Sequence, residues 1–249
     1  MTISIGSLFS GIGGFELGLE RAIPNSHTIW QVEQNEFCKS ILQKHWPHAK
    51  IFSDVHVVGS HNLEAPDILC GGFPCQDIST LGKGEGLNGK KSGLWFEMFR
   101  IICELRPRVA VLENVPAITF RGLYRIVGSL SEIGYDCEWD IISARQFGAP
   151  HLRKRWFAIA YPNNQSKSIS PIHDEMERLK KFSSTNKKTY WQNRQIESVF
   201  SGMDDGISSR LDKDRLKALG NAIVPQCSEY IGEKILASGL LDYKLECTK

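Results

Sequence analysis

Residues 7–20 read SLFSGIGGFELGLE, and what this stretch does to the backbone decides the fold. It overlaps an apolar run, ISIGSLF at 3–9, with strand character, and it opens a segment of helical spacing at 14–22. A strand that runs through Gly11, Gly13 and Gly14 into a helix makes a tight turn, because glycine accepts the left-handed backbone such a turn demands. The turn brings a helix N-terminus and bare backbone N–H groups to one place, where a ligand can meet them. Its spacing is GxGG, so the GxGxxG dinucleotide fingerprint is not met. No lysine or arginine stands in the loop, which points to a nucleoside carrying little phosphate. Glu33, about twenty residues on at the end of the second strand, is where an acid grips a ribose diol. Asp54, near the third strand position, is placed to accept from an adenine amino group. A glycine turn that only packs a helix has the same composition.

The alternation begun at 3–22 continues. Strand candidates follow at TIWQVE (28–33), PDILCGG (66–72), RVAVLEN (108–114), CEWDIISA (137–144) and RWFAIAY (155–161). Between them, 14–22, 35–46, 95–105 and 121–133 carry amphipathic helical spacing, LWFEMFRIICEL most clearly. Strands separated by helices predict an α/β fold with a parallel, doubly wound, Rossmann-like sheet. The last strand pair, 137–144 and 155–161, is expected to give it an antiparallel edge. Residues 163–214 are polar, lysine-rich and weakly periodic, so they read as an insertion between a main domain at 1–162 and its return at 215–249. Periodicity resumes with RLKALGNAIVPQ (215–226) and a helix near 227–238, ending in a frayed tail.

The length of 249 residues suits one domain of ordinary size with a small insertion, and a chain 41% apolar and 23% charged can bury a core. No run of 18 apolar residues and no basic-then-apolar leader occurs, so the expectation is a soluble cytoplasmic protein without a membrane. The seven cysteines (38, 70, 75, 103, 137, 227 and 247) are scattered, odd in number and form no CxxC pair. They predict neither a disulfide framework nor a metal site. The net charge of +2 is unevenly spread: residues 146–215 hold 13 Lys/Arg against 8 Asp/Glu. Within them 176–195 has six basic residues and one acid, interleaved with Phe182, Tyr190 and Trp191. That mixture fits a phosphate-facing surface, and a solvated helix face explains it nearly as well.

Residues 71–80, GGFPCQDIST, hold a thiol between a proline and a glutamine just after a short apolar run. Proline fixes its own torsion and biases Phe73 toward an extended backbone, so Cys75 is aimed as well as packed. A buried cysteine acting as a small hydrophobe is the plainer alternative. LENVP puts Glu113 and Asn114 at the carboxyl end of a parallel strand, where such sheets bind ligands. APHLRKRWF at 149–157 supplies Arg153 and Arg155, which alternation along a strand would point the same way. An ordinary ion pair is the plainer reading of Glu113 with Arg155.

PCQ at 74–76, ENV at 113–115, the arginine pair of PHLRKR, the FSGIGG loop and LGNAIVPQ at 219–226 together resemble the DNA cytosine-5 methyltransferases of bacterial and phage modification systems. The motifs fall in the family's order over about 1–162 and 215–240. The resemblance implies an S-adenosylmethionine-dependent methyltransferase fold in which 163–214 is a short target-recognition insertion. It implies methyl transfer from S-adenosylmethionine to C5 of a flipped-out cytosine in double-stranded DNA, as in restriction protection. Cys75 becomes the nucleophile that adds to C6 and Glu113 the acid on the base's N3 and amino edge. Arg155 falls on the O2 side, and Arg153 holds the surrounding loop. A free thiol of pKa about 8.5 is only about 3% ionised at pH 7, so the site must assist it.

On the same resemblance Phe9 stacks on adenine, Gly11 and Gly13 face the methionine end, and Glu33 takes the ribose. Asp54 reads the adenine, Leu94 packs on it, and Asn221 closes the cofactor site. Phe73, through its backbone, lies at the base edge with Pro74 and Gln76 beside it. STLGKGEGLNGKKSGLW, with five glycines and three lysines in 82–93, reads as a loop that closes over DNA. Ser79, Lys83, Lys90 and Lys91 are its candidate phosphate contacts. His151 stands where the family usually has glutamine, and Lys91 where arginine is common. The 52 residues of 163–214 are short for a target reader, which leaves room for a protein partner. Two rivals use the same fold: an RNA cytosine-5 methyltransferase of the transfer-RNA type, and a non-catalytic DNA-binding homologue. The first usually carries a late Cys-Phe-Thr segment, absent here, and the second predicts loss of the thiol or carboxylate. A nicotinamide dehydrogenase is disfavoured by the glycine spacing.

Overall fold

A computed structural model describes residues 2–74, 93–164 and 209–242. Seven strands form one sheet in the order β3-β2-β1-β4-β5-β7-β6. They are β1 (Ile3–Leu8), β2 (Ser26–Val32), β3 (Lys50–Phe52), β4 (Ile68–Gly72), β5 (Val109–Asn114), β6 (Tyr135–Ser143) and β7 (Lys154–Pro162). β1 to β5 are parallel, and β7 runs antiparallel to both β5 and β6. The antiparallel pairing expected of the last two strands is therefore present, and β7 alone is reversed against the sheet.

The helices are α1 (Gly14–Ala22), α2 (Glu36–His45), α3 (Leu94–Leu105), α4 (Ile118–Arg121), α5 (Leu123–Glu132), α6 (Ser209–Asn221) and α7 (Pro225–Ser238). Every residue of β5 is buried, as a central strand covered on both faces requires. Its side chains sort by parity. Val109 and Val111 join Ile5, Phe15, Leu19, Tyr230 and Ile231 under α1 and α7. Ala110 and Leu112 join Leu69, Trp95, Met98, Ile126 and Leu130 under α3 and α5. Helices on both faces make the sheet doubly wound.

α1 and α7 pack very closely. A Cβ on Gly18 would lie 2.0 Å from Ser228 Oγ and 2.3 Å from the carbonyl oxygen of Pro225. Ser228 Oγ also donates to the carbonyl of Gly14 at 2.9 Å. The C-terminal segment thus rejoins the domain by laying α7 against α1. Gly18→Ala is expected to destabilise the protein by about 1–3 kcal/mol, the usual scale of overpacking, read as a lower midpoint in urea unfolding.

The elements differ from the sequence reading in three places. β3 is a strand of three residues, fixed by pairing of Trp30 with Lys50 through Val32 with Phe52. The helix expected over 121–133 runs over Leu123–Glu132, and a separate single turn, Ile118–Arg121, precedes it across Gly122. The helix that leads into LGNAIVPQ begins at Ser209, upstream of 215, and ends at Asn221. The segment 176–195 lies outside the described residues.

Candidate active site

The turn after β1 is built from alternate left-handed residues: Phe9 (φ 56°), Gly11 (φ 56°) and Gly13 (φ 85°). Phe9 is a bulky side chain in a conformation that glycine adopts freely, a strain of about 1–3 kcal/mol that persists where the surroundings fix it. They fix it here from both sides. Ser10 N donates to the carbonyl of Val32 at 3.1 Å, and Gly11 N donates to Glu33 Oε2 at 2.8 Å. Glu33 Oε1 accepts from Asn35 N at 2.8 Å. The carboxylate just past β2 therefore clamps the glycine turn at the carboxyl edge of the sheet. A Cβ on Gly13 would lie 2.2 Å from the Trp46 ring, so that position admits only glycine.

Asp54 stands after β3 and caps the short turn Val55–Val57. It accepts from His56 N at 2.9 Å and contacts His56 Nδ1 at 2.7 Å. These bonds, the backbone one first, hold its carboxyl below the usual range. Leu94 opens α3 and is half-buried.

Glu113 is the penultimate residue of β5, directly across from Gly72 of β4. A Cβ on Gly72 would come within 2.6 Å of Glu113 Oε2, so the glycine makes the room this carboxyl occupies. Arg155 Nε lies 2.9 Å from Glu113 Oε1. Burial pushes the Glu113 carboxyl up to about 7, against the opposing pull of Arg155 and Arg153. The ion pair alone would lower it; desolvation wins. Next door, Asn114 Nδ2 donates to the carbonyl of Phe73 at 2.8 Å. That bond ties the root of the PCQ segment to the ENV segment. The Phe73 ring is buried beside Trp95, with centroids 5.3 Å apart.

The two arginines part company, which corrects the expectation that strand alternation aims them together. Arg153 precedes β7 with a left-handed φ of 24°. Its guanidinium donates to the carbonyls of Gly220, at 2.9 Å, and of Ala222. The carbonyls flanking Asn221 thus draw Arg153 away, while Arg155 turns to Glu113. Asn221 is thereby anchored to the approach of β7. Pro74 closes the described part of its segment, and Cys75, Gln76, Ser79, Lys83, Lys90 and Lys91 lie outside the described residues.

Sequence reasoning missed the parts played by Gly72 and Asn114. The signal for Gly72 was present in the GG after β4, but only the register shows which residue needs the space. Among the described residues no group of three or more His, Cys, Asp or Glu could hold a metal ion. No helix among them is long and apolar enough to cross a membrane.

The strand order, with a glycine turn clamped by a rim acid and a buried carboxyl at the carboxyl edge of the parallel strands, is that of a Rossmann-like doubly wound fold. The family model for C-5 cytosine-specific DNA methylase matches residues 3–215, and the chain belongs to that family. It is 34% identical over 179 residues to the Type II methyltransferase M2.BsuMI of Bacillus subtilis, covering 69% of this chain and 45% of that protein. It is 36% identical over 155 residues to the Type II methyltransferase M.CviJI of Paramecium bursaria Chlorella virus IL3A, covering 61% and 41%. In fold it is similar to a triply substituted DNMT2 of Spodoptera frugiperda, with TM-score 0.58 and 18% identity over 68% of this chain and 53% of that one. The chain spans about half the length of the curated relatives it matches.

Proposed function

We propose that the chain transfers a methyl group from S-adenosylmethionine to C5 of a cytosine rotated out of duplex DNA, through a transient bond between Cys75 and C6. The observation that carries this reading is the Glu113 carboxyl: buried, paired with Arg155, near half-protonated at neutral pH, and tied through Asn114 to the root of the Cys75 segment.

The residues at the β1–β3 edge fit a nucleoside sulfonium donor. Phe9 offers a ring, Glu33 a carboxylate at ribose height and Asp54 an acceptor for an adenine amino group. Each carboxylate oxygen that already takes a backbone N–H retains a second lone pair for a ligand. Leu94 would pack beside the adenine and Asn221 would close the cofactor site, with Gly11 and Gly13 at the methionine end letting backbone approach closely. When bound, S-adenosylmethionine supplies an electrophilic methyl group.

Cytosine is a poor nucleophile at C5. Addition of the Cys75 thiolate to C6, with a proton from Glu113 to N3, converts the ring to an enamine whose C5 can attack that methyl group. Arg155 holds the carboxyl and the O2 side of the base, and the Phe73 backbone borders its edge with Pro74 and Gln76. A base, water in the simplest case, then removes the C5 proton, the thiolate is expelled as the C5–C6 double bond re-forms, and N3 returns its proton to Glu113. The atoms of C5 and C6 are out of reach inside a duplex, so the base must leave the stack. Ser79, Lys83 and Lys91 are assigned to phosphates of the strand around it. Residues 163–214 are assigned to target reading as a small unit inserted in a domain of 1–162 and 215–249, with a protein partner able to supplement it.

Incubation of the protein with labelled donor and either duplex DNA or transfer RNA tests the substrate, and label is expected in the DNA alone. Duplexes carrying 5-fluorocytosine are expected to trap a protein–DNA adduct that survives denaturing electrophoresis, because fluorine blocks the proton loss that frees Cys75. Label on transfer RNA and no adduct on any duplex of a random-sequence pool would overturn the reading.

A further inference from the structure

Phe120 and Tyr124 are the most exposed large apolar side chains among the described residues, at 88% and 77%. Arg121 is exposed beside them and Arg125 half-buried. Neither arginine side chain has an ion pair or hydrogen bond with a described residue. Over 115–131 these two arginines are the only charged side chains. Ile118, Ile126 and Leu130 anchor the inner side of α4 and α5 in the core, so the aromatic and basic residues occupy the outer one. That outer side continues unobstructed, since a Cβ on Gly128 would meet nothing within 4 Å. Single exposed apolar residues need no explanation, whereas two aromatics interleaved with two unpaired cations form a patch.

The patch sits at the functional edge of the sheet. β5 ends at Asn114, one residue past Glu113, and α4 begins at Ile118. Resting on the reading that Glu113 receives an extruded base, we infer that Phe120, Arg121, Tyr124 and Arg125 form a ridge that grips the backbone of duplex DNA flanking that base. Guanidiniums with no ion pair among the described residues are what a polyanion selects, since each phosphate neutralised releases a condensed counterion. Contacts of this kind set position without reading sequence. Flat rings next to them suit deoxyribose and the base faces laid bare where the stack opens. In sequence the ridge is distinct from the glycine- and lysine-rich segment at 82–93 and from the basic segment at 176–195, so it adds a third contact, one made by described residues.

The test uses the full chain with a fluorescent duplex, reading anisotropy between about 50 and 200 mM salt. Arg121→Glu with Arg125→Glu is expected to make the plot of log affinity against log salt shallower by about 0.9 for each phosphate no longer neutralised. Phe120→Ala with Tyr124→Ala is expected to weaken binding severalfold with the salt slope kept. Calorimetric affinity for S-adenosylmethionine, unchanged within about twofold in both, would certify the fold. Parental slope and affinity in both variants would overturn the ridge. So would loss of concentration-dependent self-association in sedimentation with DNA binding intact, which would assign the face to a second copy of the chain. If the parent methylates duplex DNA and both variants keep its slope and its affinity, only the ridge fails. If the parent transfers nothing to duplex DNA, the function proposed above fails first.

Discussion

Replacing Cys75 with alanine is expected to abolish methyl transfer, by roughly a millionfold where covalent attack carries the reaction, while leaving affinity for S-adenosylmethionine within about twofold. The reason is chemical exclusion as much as position. A nucleophile must spend a useful fraction of its time as thiolate, and burial works against that at Cys38, Cys70, Cys103 and Cys137. Cys70, five residues earlier on β4, is fully buried and held well above the ordinary value. Desolvation pushes Cys38 up to about 11 and Cys137 to about 12, and it raises Cys103 as well. Cys70 is thus packing in the sheet, while Cys75 follows the last residue of that strand, Gly72, by three positions in the sequence. Single-turnover transfer with tritiated donor and equilibrium dialysis of the cofactor measure the two arms separately. Turnover of the alanine variant near the parental rate would remove Cys75 from the chemistry. Loss of cofactor binding along with activity would make the residue structural instead.

Where hydrophobic pattern alone dictates an element, the sequence reveals it. VAVLEN needs burial on both faces, and it lies inside the sheet between β4 and β7 with all six residues covered. Lys50–Phe52 carries too few residues for any period, and only the neighbouring edge of β2 makes it a strand. The turn of helix at Ile118–Arg121 escaped because four residues are too few to show a helical period, although Ile118 reaches the same core as Ile126. The site divides in the same way. Strand ends at the carboxyl edge of a parallel sheet announce Glu33 and Glu113, since topology puts them there whatever their neighbours. Long-range contacts do not announce themselves. Alternation alone makes Arg153 look like the strand partner of Arg155, the family resemblance sets it on the surrounding loop, and carbonyls 67 and 69 residues away accept from it. The raised Glu113 carboxyl depends on burial and on the space left by Gly72, and no local pattern encodes either.

Glu113→Gln is expected to lower the transfer rate by about 10²–10⁴-fold, the range associated with a lost general acid, with DNA and cofactor affinities changed far less. The glutamine keeps the shape beside Gly72 and can still accept from Arg155, but it has no acidic proton for N3. With the folded carboxyl at about 7, the parent's kcat/KM should fall as pH rises past neutrality, because the fraction able to donate declines. That alkaline limb should vanish in the variant, whose residual rate follows thiolate formation upward instead. The same shift has a signature in stability that needs no substrate. The folded protein holds a proton on Glu113 up to about 7, whereas the unfolded chain releases it near 4.5. Raising the pH between those values therefore favours the unfolded state and erodes a stabilisation fully present below 4.5. Glutamine does not titrate, so the Tm of the variant relative to the parent should climb across that window and level off above it. A flat Tm difference from pH 4 to 8 would mean that Glu113 ionises normally in the fold. A pure loss of DNA affinity, with turnover and pH profile untouched, would make it a binding residue and leave the protonation of cytosine to another group.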